Sequence, residues 1–489
     1  MRSAADQRRL EALNARPNPA WFDEAKFGIF IHWGLFAIPA FASGRGPIGT
    51  SFREDYDRAV AMTPYTEWYA NAIKVEGTPS ADFHRRMYGD APYEAFKAPF
   101  LEGLSDWDPD AWAEAFADAG AKYVVLVSKH HDGFCLWPSS VANPKAPGFN
   151  ADRDLVGELA RAVRATGLRF GLYYSGGLDW TFNTRPMRTL GDMLGATPGG
   201  AYPAYADAQA RELISRYAPD VLWNDISWPG RESALFRLFE DYYEAVETGV
   251  VNDRWACPTP ASRALRVRAV RRLLDDRIKA RMKTIPADEG VIPPPVPHSG
   301  FRTPEYARFP GIQAKKWEAT RGMSWSFGYN RADTEADYAP AEALIGDFID
   351  GVSKGGNLLL NVGPMASGEI PAPQLDRLKA FGAWLRTAGP AIYGARPWGP
   401  AQAMSETGEE VRFTETDGAV NIIPLARFDG QELVLPGVAL SGRVEVLGAG
   451  VRGAATPRGE GSAIAFERPL SGAFAPVIAL AKSSEGGLS

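Results

Sequence analysis

Short apolar runs alternate with helix-forming segments between residues 27 and 387, and this alternation constrains the fold more than any other feature. Apolar runs of four to eight residues between turn residues are typical of buried strands in a parallel sheet. The segment at residues 152–166, with Leu155, Leu159 and Val163 on one side, has the period of an amphipathic helix. The alternation predicts βα units around a parallel sheet.

The spacing of apolar residues and the positions of turn residues predict the individual strands and helices. The predicted strands are 27–31, 123–128, 169–175, 221–223, 249–255, 317–320 and 357–362. The predicted helices are 64–73, 107–119, 152–166, 206–217, 232–244, 340–351 and 374–387. Residues 43–62, rich in glycine and charge, are interpreted as a loop.

Polar and aromatic residues recur at or just after the ends of the predicted strands. They are His32, His130, His131, Tyr173, Asp225 and Arg254. A (β/α)₈ barrel gathers its active site at that end of its strands. A doubly wound open sheet is the alternative, but no GxGxxG or P-loop follows any predicted strand. The sequence predicts a (β/α)₈-like (TIM-type) catalytic barrel over residues 1–395.

The pattern changes after Trp398. Asp417 and Gly418 form a hairpin signal, and short apolar strands follow at close intervals with turn residues between them. These features predict a small C-terminal all-β sandwich over residues 396–489. It carries no cluster of histidines, cysteines or acids, so a packing role is expected.

Residues 256–300 interrupt the barrel pattern and are interpreted as a basic insertion. Residues 262–283 predict a helix with apolar residues near one face and arginines or lysines on the others, and residues 290–300 are rich in proline. A solvated face or a subunit contact is expected for this helix. Because the insertion lies between two site motifs, it is also placed to overhang the pocket.

The length, net charge and cysteine content of the chain limit the kinds of binding partner to expect. With 489 residues, a net charge of −6 and a pI near 5.6, the chain gives no reason to expect nucleic acid or an anionic membrane. Two cysteines, Cys135 and Cys257, make no disulfide framework. No signal peptide is visible, which predicts a cytoplasmic location, or a periplasmic one if the start was trimmed. A homo-oligomer is compatible with the sequence.

The segment PDVLWNDISWP, residues 219–229, contains the best candidate nucleophile. Asp225 follows a buried strand and is framed by Trp223 and Trp228. Glycoside cleavage needs a second carboxyl to deliver a proton to the leaving oxygen. The candidates are Glu305, Glu318, Glu67 and Asp253, and spacing does not decide among them. Glu305 lies in a loop bounded by proline, which suits a proton donor, whereas Glu318 is expected to form a structural ion pair.

Histidines and aromatics supply the remaining site features. His32, His130, His131 and Arg254 can bond ligand hydroxyls, while Tyr173, Trp223 and Phe327 offer apolar walls. Metal binding is the rival use of the histidines. Zinc sites favour spacings such as HxH or HExxH, which these residues lack. The sequence therefore predicts no metal and no cofactor.

Ten motifs in order resemble one known family. They are KFGIFIHWG, EWY, SKHHDGF, FGLYYSGGLDW, LWNDISWP, VVNDRW, TPEY, KWE, SFGYN and SKGGNLLLNVGP, within residues 15–395. Together they resemble the α-L-fucosidases of glycoside hydrolase family 29. The resemblance implies a catalytic barrel, a C-terminal β-sandwich, retaining hydrolysis through a covalent fucosyl-enzyme, and a fucosylated glycan or glycoside as substrate.

The same resemblance implies the site residues. Asp225 matches the nucleophile and Glu305 the acid/base. The positions that resemble the family's fucose pocket are His32, Glu67, Trp68, His130, His131, Tyr173, Trp223, Arg254 and Phe327. The insertion before Glu305 and the lead-in Gly300-Phe301-Arg302 depart from the family pattern and suggest an unusual leaving-group side.

Two alternative functions stay open at this point. The first is a barrel glycosidase for another sugar, such as an α-galactoside-like or other L-sugar substrate. The second is a non-catalytic sugar-binding protein, which would lack a carboxylate. Asp225 and the candidate acids are all present, which favours the enzyme.

Overall fold

Parallel strands build the first part of the chain. The computed structural model describes residues 2–282 and 290–482. Its first seven strands are β1 (Phe27–Ile31), β2 (Tyr123–Lys129), β3 (Arg169–Tyr174), β4 (Val221–Asn224), β5 (Val250–Val251), β6 (Trp317–Gly322) and β7 (Gly356–Val362). They form one curled parallel sheet in the order β5-β4-β3-β2-β1-β7-β6.

An irregular segment, residues 300–306, fills the gap between β5 and β6. The amide of Gly300 donates to the carbonyl of Val251 at 2.8 Å, and the amide of Arg302 donates to that of Lys316 at 2.9 Å. Further along, the amide of Tyr306 donates to the carbonyl of Thr320 at 3.0 Å. The segment thus occupies the place of an eighth strand, and the predicted (β/α)₈-like barrel is confirmed.

Helices connect and cover these strands. They are α1 (Ala4–Asn14), α2 (Ala20–Ala25), α3 (Ile48–Glu54), α4 (Tyr69–Ala72), α5 (Pro79–Tyr88), α6 (Lys97–Glu102), α7 (Pro109–Asp118), α8 (Leu155–Ala165), α9 (Leu190–Leu194), α10 (Tyr202–Tyr217), α11 (Glu232–Ala245), α12 (Pro260–Ala264), α13 (Arg268–Met282), α14 (Ala341–Ser353) and α15 (Ala372–Ala388). α8 is amphipathic as predicted, because Leu155, Leu159 and Val163 are all buried. None of the helices in the two described ranges is long and apolar enough to cross a membrane.

The structure corrects the expected fifth strand, residues 249–255. β5 has only two residues, because side-chain hydrogen bonds replace backbone pairing after Val251. The side-chain Nδ2 of Asn252 donates to the carbonyl of Asn224 at 2.8 Å, and the side-chain Oδ1 of Asn252 accepts from the backbone amide of Asn224 at 3.0 Å. This exchange of hydrogen bonds follows directly on the last strand residue, Val251.

The region before β2 also differs from the prediction. Residues 43–62, expected as a loop, contain α3 and a 3₁₀ turn at Ala59–Ala61. Residues 64–73, expected as a helix, form a 3₁₀ turn at Thr66–Trp68 followed by the single turn of α4. The sequence lacks a long helical period here, so tertiary packing decides these short elements.

The predicted helix at residues 262–283 is broken in two. The guanidinium of Arg271 donates to the carbonyls of Leu265 and Arg266 at 2.8 and 2.9 Å, which removes these acceptors from a continuous helix. α12 ends before this point and α13 begins after it. Residue 283 lies outside the described residues.

Antiparallel strands form the C-terminal part. They are β8 (Arg396–Met404), β9 (Glu410–Glu415), β10 (Ala419–Pro424), β11 (Arg427–Phe428), β12 (Glu432–Leu435), β13 (Gly442–Val446), β14 (Val451–Arg458), β15 (Gly461–Phe466), β16 (Ala473–Phe474) and β17 (Ile478–Ala481). Eight of them form one sheet, in the order β12-β15-β14-β13-β17-β10-β9-β8, while β11 pairs with β16. The expected C-terminal β-sandwich is confirmed, whereas its boundary at residues 395 and 396 stays a prediction.

The C-terminal sheet has its own core and also docks on the barrel. Phe413 and Ile464 are among the fully buried residues of this second core. At the junction, Arg412 Nε lies 2.6 Å from Asp350 Oδ1, and both side chains are buried. A buried ion pair of this kind costs desolvation, so its geometry fixes the docking more than it adds stability.

Candidate active site

The barrel brings the predicted polar residues together because each follows or ends a parallel strand. His32 follows β1, His130 follows β2, and Asp225 follows β4. Tyr173 and Trp223 lie opposite each other in the β3–β4 pairing, so both side chains point to the same face. Parallel strands end at the same side of a barrel, and the side chains there converge on one pocket.

The pocket is a small cavity of about 130 Å³. Ten of the eleven predicted site residues line it: His32, Glu67, Trp68, His130, Tyr173, Trp223, Asp225, Arg254, Glu305 and Phe327. The eleventh, His131, packs edge-on against Trp68 and does not line the cavity itself. Pockets for drug-sized ligands have roughly 300 to 1,000 Å³, so this cavity suits a single sugar residue.

Asp225 is buried and bonded on both carboxylate oxygens. Its Oδ2 accepts from the hydroxyl of Tyr173 at 2.9 Å, and its Oδ1 accepts from Nη1 of Arg254 at 3.0 Å. The amide of Ile226 also donates to Oδ1, at 2.8 Å. Burial raises the pKa of Asp225, but the charge of Arg254 and these hydrogen bonds outweigh it and hold the pKa below its usual value. The side chain is therefore an oriented carboxylate at neutral pH.

Arg254 joins the two candidate catalytic carboxyls. Its Nη1 lies 3.0 Å from Asp225 Oδ1, and its Nη2 lies 3.0 Å from Glu305 Oε2. The other oxygen of Glu305 accepts from the hydroxyl of Tyr65 at 2.9 Å. One guanidinium therefore holds both carboxyl groups at the same cavity.

His32 presents a defined nitrogen to the cavity. Nδ2 of Asn361 donates to the carbonyl of Phe327 at 2.5 Å, which leaves Oδ1 of Asn361 to accept from Nδ1 of His32 at 2.6 Å. Burial lowers the pKa of His32 to about 3, so the ring is neutral. With the proton on Nδ1, Nε2 is an acceptor for a ligand hydroxyl.

The adjacent histidines are also neutral. The hydroxyl of Ser175 donates to the carbonyl of Leu178 at 2.7 Å, so its oxygen accepts from Nδ1 of His131 at 2.6 Å. Burial lowers the pKa of His131 to about 4, and its Nε2 lies 3.7 Å from Asp225 Oδ2. Burial likewise holds the pKa of His130 well below its usual value. Within the described ranges, no group of three or more His, Cys, Asp or Glu side chains is placed to hold a metal ion.

Aromatic rings form the floor and walls of the cavity. Tyr173 stacks on Trp223 with ring centroids 5.4 Å apart, and His130 stacks on the other side of Tyr173 at 5.5 Å. The guanidinium of Arg254 lies over the ring of Trp223, 4.9 Å from its centroid. A cation over an aromatic face is stabilised by the ring quadrupole, so Trp223 helps to hold Arg254 in place.

The four candidates for the catalytic acid differ in whether they reach the cavity. Glu305 and Glu67 line the cavity, whereas Glu318 and Asp253 do not. Asp253 accepts from the amide and the hydroxyl of Thr303, and so holds the chain that leads to Glu305. Glu318 is buried and accepts from the hydroxyl of Tyr123. The expected structural ion pair of Glu318 is wrong, because no cation within the described ranges lies in ion-pair contact with it.

Glu67 lies deeper in the cavity than Glu305. Its side chain is buried, and Oε2 accepts from the amide of Gly328 at 3.0 Å. Burial raises the pKa of Glu67 to about 7. A carboxyl that is partly protonated at neutral pH can both donate to and accept from a ligand hydroxyl.

Some residues of the site were missed in the sequence. The cavity is also lined by Phe30, Ile48, Tyr65, Met193, Ile226, Val291 and Thr320. Phe30 could have been found, since it lies two residues before His32 on the same face of β1. Tyr65 lies two residues before Glu67 in PYTEW, but its contact with Glu305 spans 240 residues and no local pattern indicates it.

Comparisons with known proteins agree with this geometry. A family model described as alpha-L-fucosidase matches residues 2–390. The tissue alpha-L-fucosidase of Homo sapiens is 32% identical over 400 residues, covering 79% of this chain and 72% of the human protein. A solved structure described as an alpha-L-fucosidase superimposes with a TM-score of 0.83 at 38% identity, covering 97% of this chain and 99% of its own.

A second solved structure carries information on its ligand. It is a Thermotoga maritima alpha-L-fucosynthase with an Asp→Gly substitution, in complex with α-L-Fuc-(1-2)-β-L-Fuc-N3. It superimposes with a TM-score of 0.80 at 39% identity, covering 93% of this chain and 94% of its own. The family match, the sequence identity and the shared architecture lead to one conclusion: this chain belongs to the alpha-L-fucosidase family.

Proposed function

We propose that the protein is a retaining exo-α-L-fucosidase that removes terminal α-L-fucosyl residues from glycans or glycosides. The observation that carries the proposal is the placement of Asp225 and Glu305 on the two terminal nitrogens of Arg254, at a cavity of single-sugar size. Retaining enzymes need two carboxyls close together, one as nucleophile and one as acid and base. Family membership supports the choice of sugar.

Asp225 acts as the nucleophile in this proposal. Its carboxylate attacks the anomeric carbon, a covalent fucosyl ester forms, and the bond from that carbon to the leaving oxygen breaks. The bonds from Tyr173, Arg254 and the Ile226 amide hold the carboxylate ionised and oriented. The Asp→Gly substitution of the fucosynthase relative is consistent with an aspartate nucleophile in the family.

Glu305 acts as acid and then as base. It gives its proton to the leaving oxygen in the first step, and in the second it takes a proton from the water that attacks the ester. Glu67 is the rival, since its pKa of about 7 suits a general acid. Position favours Glu305, which lies half-buried at the mouth beside Arg254, while Glu67 is buried in the interior. We assign Glu67 to hydrogen bonding with a sugar hydroxyl.

The remaining side chains recognise the sugar. A 6-deoxy sugar needs an apolar wall for its methyl group and polar partners for three hydroxyls. Trp223, Tyr173 and Phe327 supply apolar surface, and the neutral rings of His32 and His130 supply hydrogen-bonding nitrogens. Trp68 forms a further wall of the cavity, and the ring of His131 packs edge-on against it from outside the cavity. Neutral imidazoles suit an uncharged ligand, since they exchange hydrogen bonds with hydroxyls without burying a charge.

The experiment is hydrolysis of 4-nitrophenyl α-L-fucoside by the wild type, Asp225→Ala and Glu305→Ala. We expect turnover by the wild type and a loss of several orders of magnitude in Asp225→Ala. Glu305→Ala should be rescued by azide with formation of α-fucosyl azide, because a small anion needs no general base. Glu67→Ala is the matched control and should show no azide rescue.

Three outcomes would overturn parts of this proposal. Ordinary turnover in Asp225→Ala would exclude it as nucleophile. Azide rescue in Glu67→Ala alone would move the acid/base role there. A higher kcat/KM for 4-nitrophenyl α-galactoside or for another L-sugar glycoside would reassign the substrate.

A further inference from the structure

Several of the apolar side chains that line the catalytic cavity are partly exposed to solvent. Four lining residues share this character: Ile48, Met193, Ile226 and Val291. We name this set the apolar collar. The deeper lining residues, such as Phe30 and Trp223, are fully buried. The collar therefore faces the part of a ligand that extends out of the single-sugar cavity.

Val291 places the collar on the side of the leaving group. Its amide donates to the carbonyl of Glu305 at 2.8 Å, and the amide of Glu305 donates back to the carbonyl of Val291 at 2.8 Å. A Cβ on Gly290 would lie 2.3 Å from the carbonyl oxygen of Glu305, so only glycine allows this close approach. The group that protonates the leaving oxygen must lie beside the aglycone. Val291 is thus next to the aglycone.

Asp275 of α13 holds two other parts of the collar. Its Oδ1 accepts from the hydroxyl of Tyr56 at 2.9 Å and from the amide of Gly191 at 2.9 Å, and its Oδ2 accepts from the hydroxyl of Thr189 at 3.0 Å. Tyr56 follows α3, which begins with Ile48 of the collar. Gly191 belongs to α9, which carries Met193 of the collar.

A second observation indicates that this junction is closely fitted. A Cβ on Gly191 would lie 2.5 Å from Oδ1 of Asp275, so the carboxylate fills the space a side chain would need. Arg271, one turn earlier on α13, donates to Asp192 at 3.1 Å. The insertion therefore holds α9 through both a carboxylate and a guanidinium.

We propose that the basic insertion builds an aglycone site for apolar leaving groups, with Met193, Ile48, Ile226 and Val291 as its contact surface and Asp275 as its positioning residue. The proposal rests on the retaining fucosidase activity proposed above, and it adds the chemical class of the leaving group. An aryl or other flat apolar aglycone would cover the collar and bury its surface. A small or strongly polar aglycone would leave the apolar collar exposed to water.

The test compares two aryl fucosides whose phenols have similar acidity, phenyl and 2-naphthyl α-L-fucoside. α-L-Fucosyl fluoride, which has no organic aglycone, is the third substrate. We expect the wild type to prefer the naphthyl substrate in kcat/KM. Met193→Ala and Val291→Ala should each reduce that preference roughly three- to tenfold through KM, because each loses apolar contact with the aglycone. Val267→Ala is the matched control, since Val267 is 56% exposed on the insertion and does not line the cavity.

Asp275 is tested by two variants. Asp275→Ala should reduce the naphthyl-to-phenyl preference as Met193→Ala does, while Asp275→Asn should restore part of it, since its amide oxygen can still accept from Tyr56 and Gly191. A merely structural loss would lower kcat for all three substrates equally.

Different outcomes would contradict the aglycone site and the proposed fucosidase activity. An unchanged naphthyl-to-phenyl ratio in Met193→Ala and Val291→Ala would overturn the aglycone site while leaving the fucosidase assignment intact. Failure of the wild type to hydrolyse fucosyl fluoride would instead overturn the proposed function itself.

Discussion

Ile226 and Tyr306 share a strained backbone conformation: each directly follows a candidate catalytic carboxylate, and each has a positive φ, 66° and 49°. Residues with a Cβ avoid this region, and the cost is largest for β-branched side chains such as isoleucine. Strain of this kind persists where surrounding contacts enforce it, as they often do at active sites. The amide of the strained residue Ile226 donates to Oδ1 of Asp225 at 2.8 Å, so this backbone is in direct contact with the carboxylate.

The first prediction concerns Ile226→Gly. Glycine relieves the backbone strain but removes a half-exposed side chain, so the free energy of unfolding should change by less than about 1 kcal/mol. The kcat should fall at least about tenfold, because a flexible peptide no longer orients Asp225. Urea unfolding and steady-state kinetics check both effects. Ala218→Gly, at an exposed position with φ 42° after α10, is the control and should gain roughly 0.5–1 kcal/mol with unchanged kcat.

The second prediction concerns Arg254→Gln. Without the guanidinium, burial dominates and the pKa of Asp225 rises, so the acid limb of the kcat/KM profile should move to higher pH. The depressed pKa also stabilises the fold at neutral pH, and this contribution is lost as pH falls through it. Breaking the buried pair should cost roughly 3 kcal/mol or more.

Arg254→Lys provides the comparison for this variant. It keeps the positive charge but cannot bind both carboxylates through a planar fork. We expect the acid limb to shift less in Arg254→Lys than in Arg254→Gln. The kcat of Arg254→Lys should nevertheless stay below that of the wild type. An acid limb that stays in place in Arg254→Gln would show that Asp225 does not control it.

The third prediction concerns Tyr65→Phe, which removes one hydrogen bond to Glu305. If Glu305 delivers the proton, its misplacement should matter most for substrates whose leaving groups need protonation. We expect kcat/KM to fall roughly tenfold for phenyl α-L-fucoside and far less for 2,4-dinitrophenyl α-L-fucoside. Equal losses for both substrates would contradict a proton-donor role for Glu305.

The fourth prediction concerns Glu318→Gln. Burial raises the pKa of Glu318 to about 7, above the ordinary value of 4.5, so the folded state binds its proton more tightly than the unfolded state. Stability contributed by this proton is complete below pH 4.5 and is lost as pH rises toward 7, by up to about 3 kcal/mol. The glutamine variant keeps an acceptor for Tyr123 and should show a flatter stability profile over this interval.

Urea unfolding at pH 5 and pH 8 measures the effect. Glu114→Gln, an exposed change on α7, should keep the wild-type slope. If the free energy of unfolding of Glu318→Gln changed with pH as that of the wild type does, Glu318 would already be ionised in the folded wild type at pH 5. Glu67 shifts in the same direction but is present in all three proteins, so its contribution cancels.

The sequence by itself determined the class of fold and most of the pocket. The apolar runs that became β1 to β4 and β7, and the polar residues that follow them, depend on local period and turn chemistry, which a sequence displays directly. Ten of the eleven predicted residues line one cavity because parallel strands of a barrel end on the same side.

Only the tertiary structure decided how those residues work. The bridge from Arg254 to both carboxylates, the bond from Tyr65 to Glu305 and the contacts of Asp275 join residues 29 to 240 positions apart. Such contacts exist only after the barrel has closed, and no local period encodes them. The same reason explains the irregular eighth strand, whose place between β5 and β6 is set by its two neighbours rather than by its own residues.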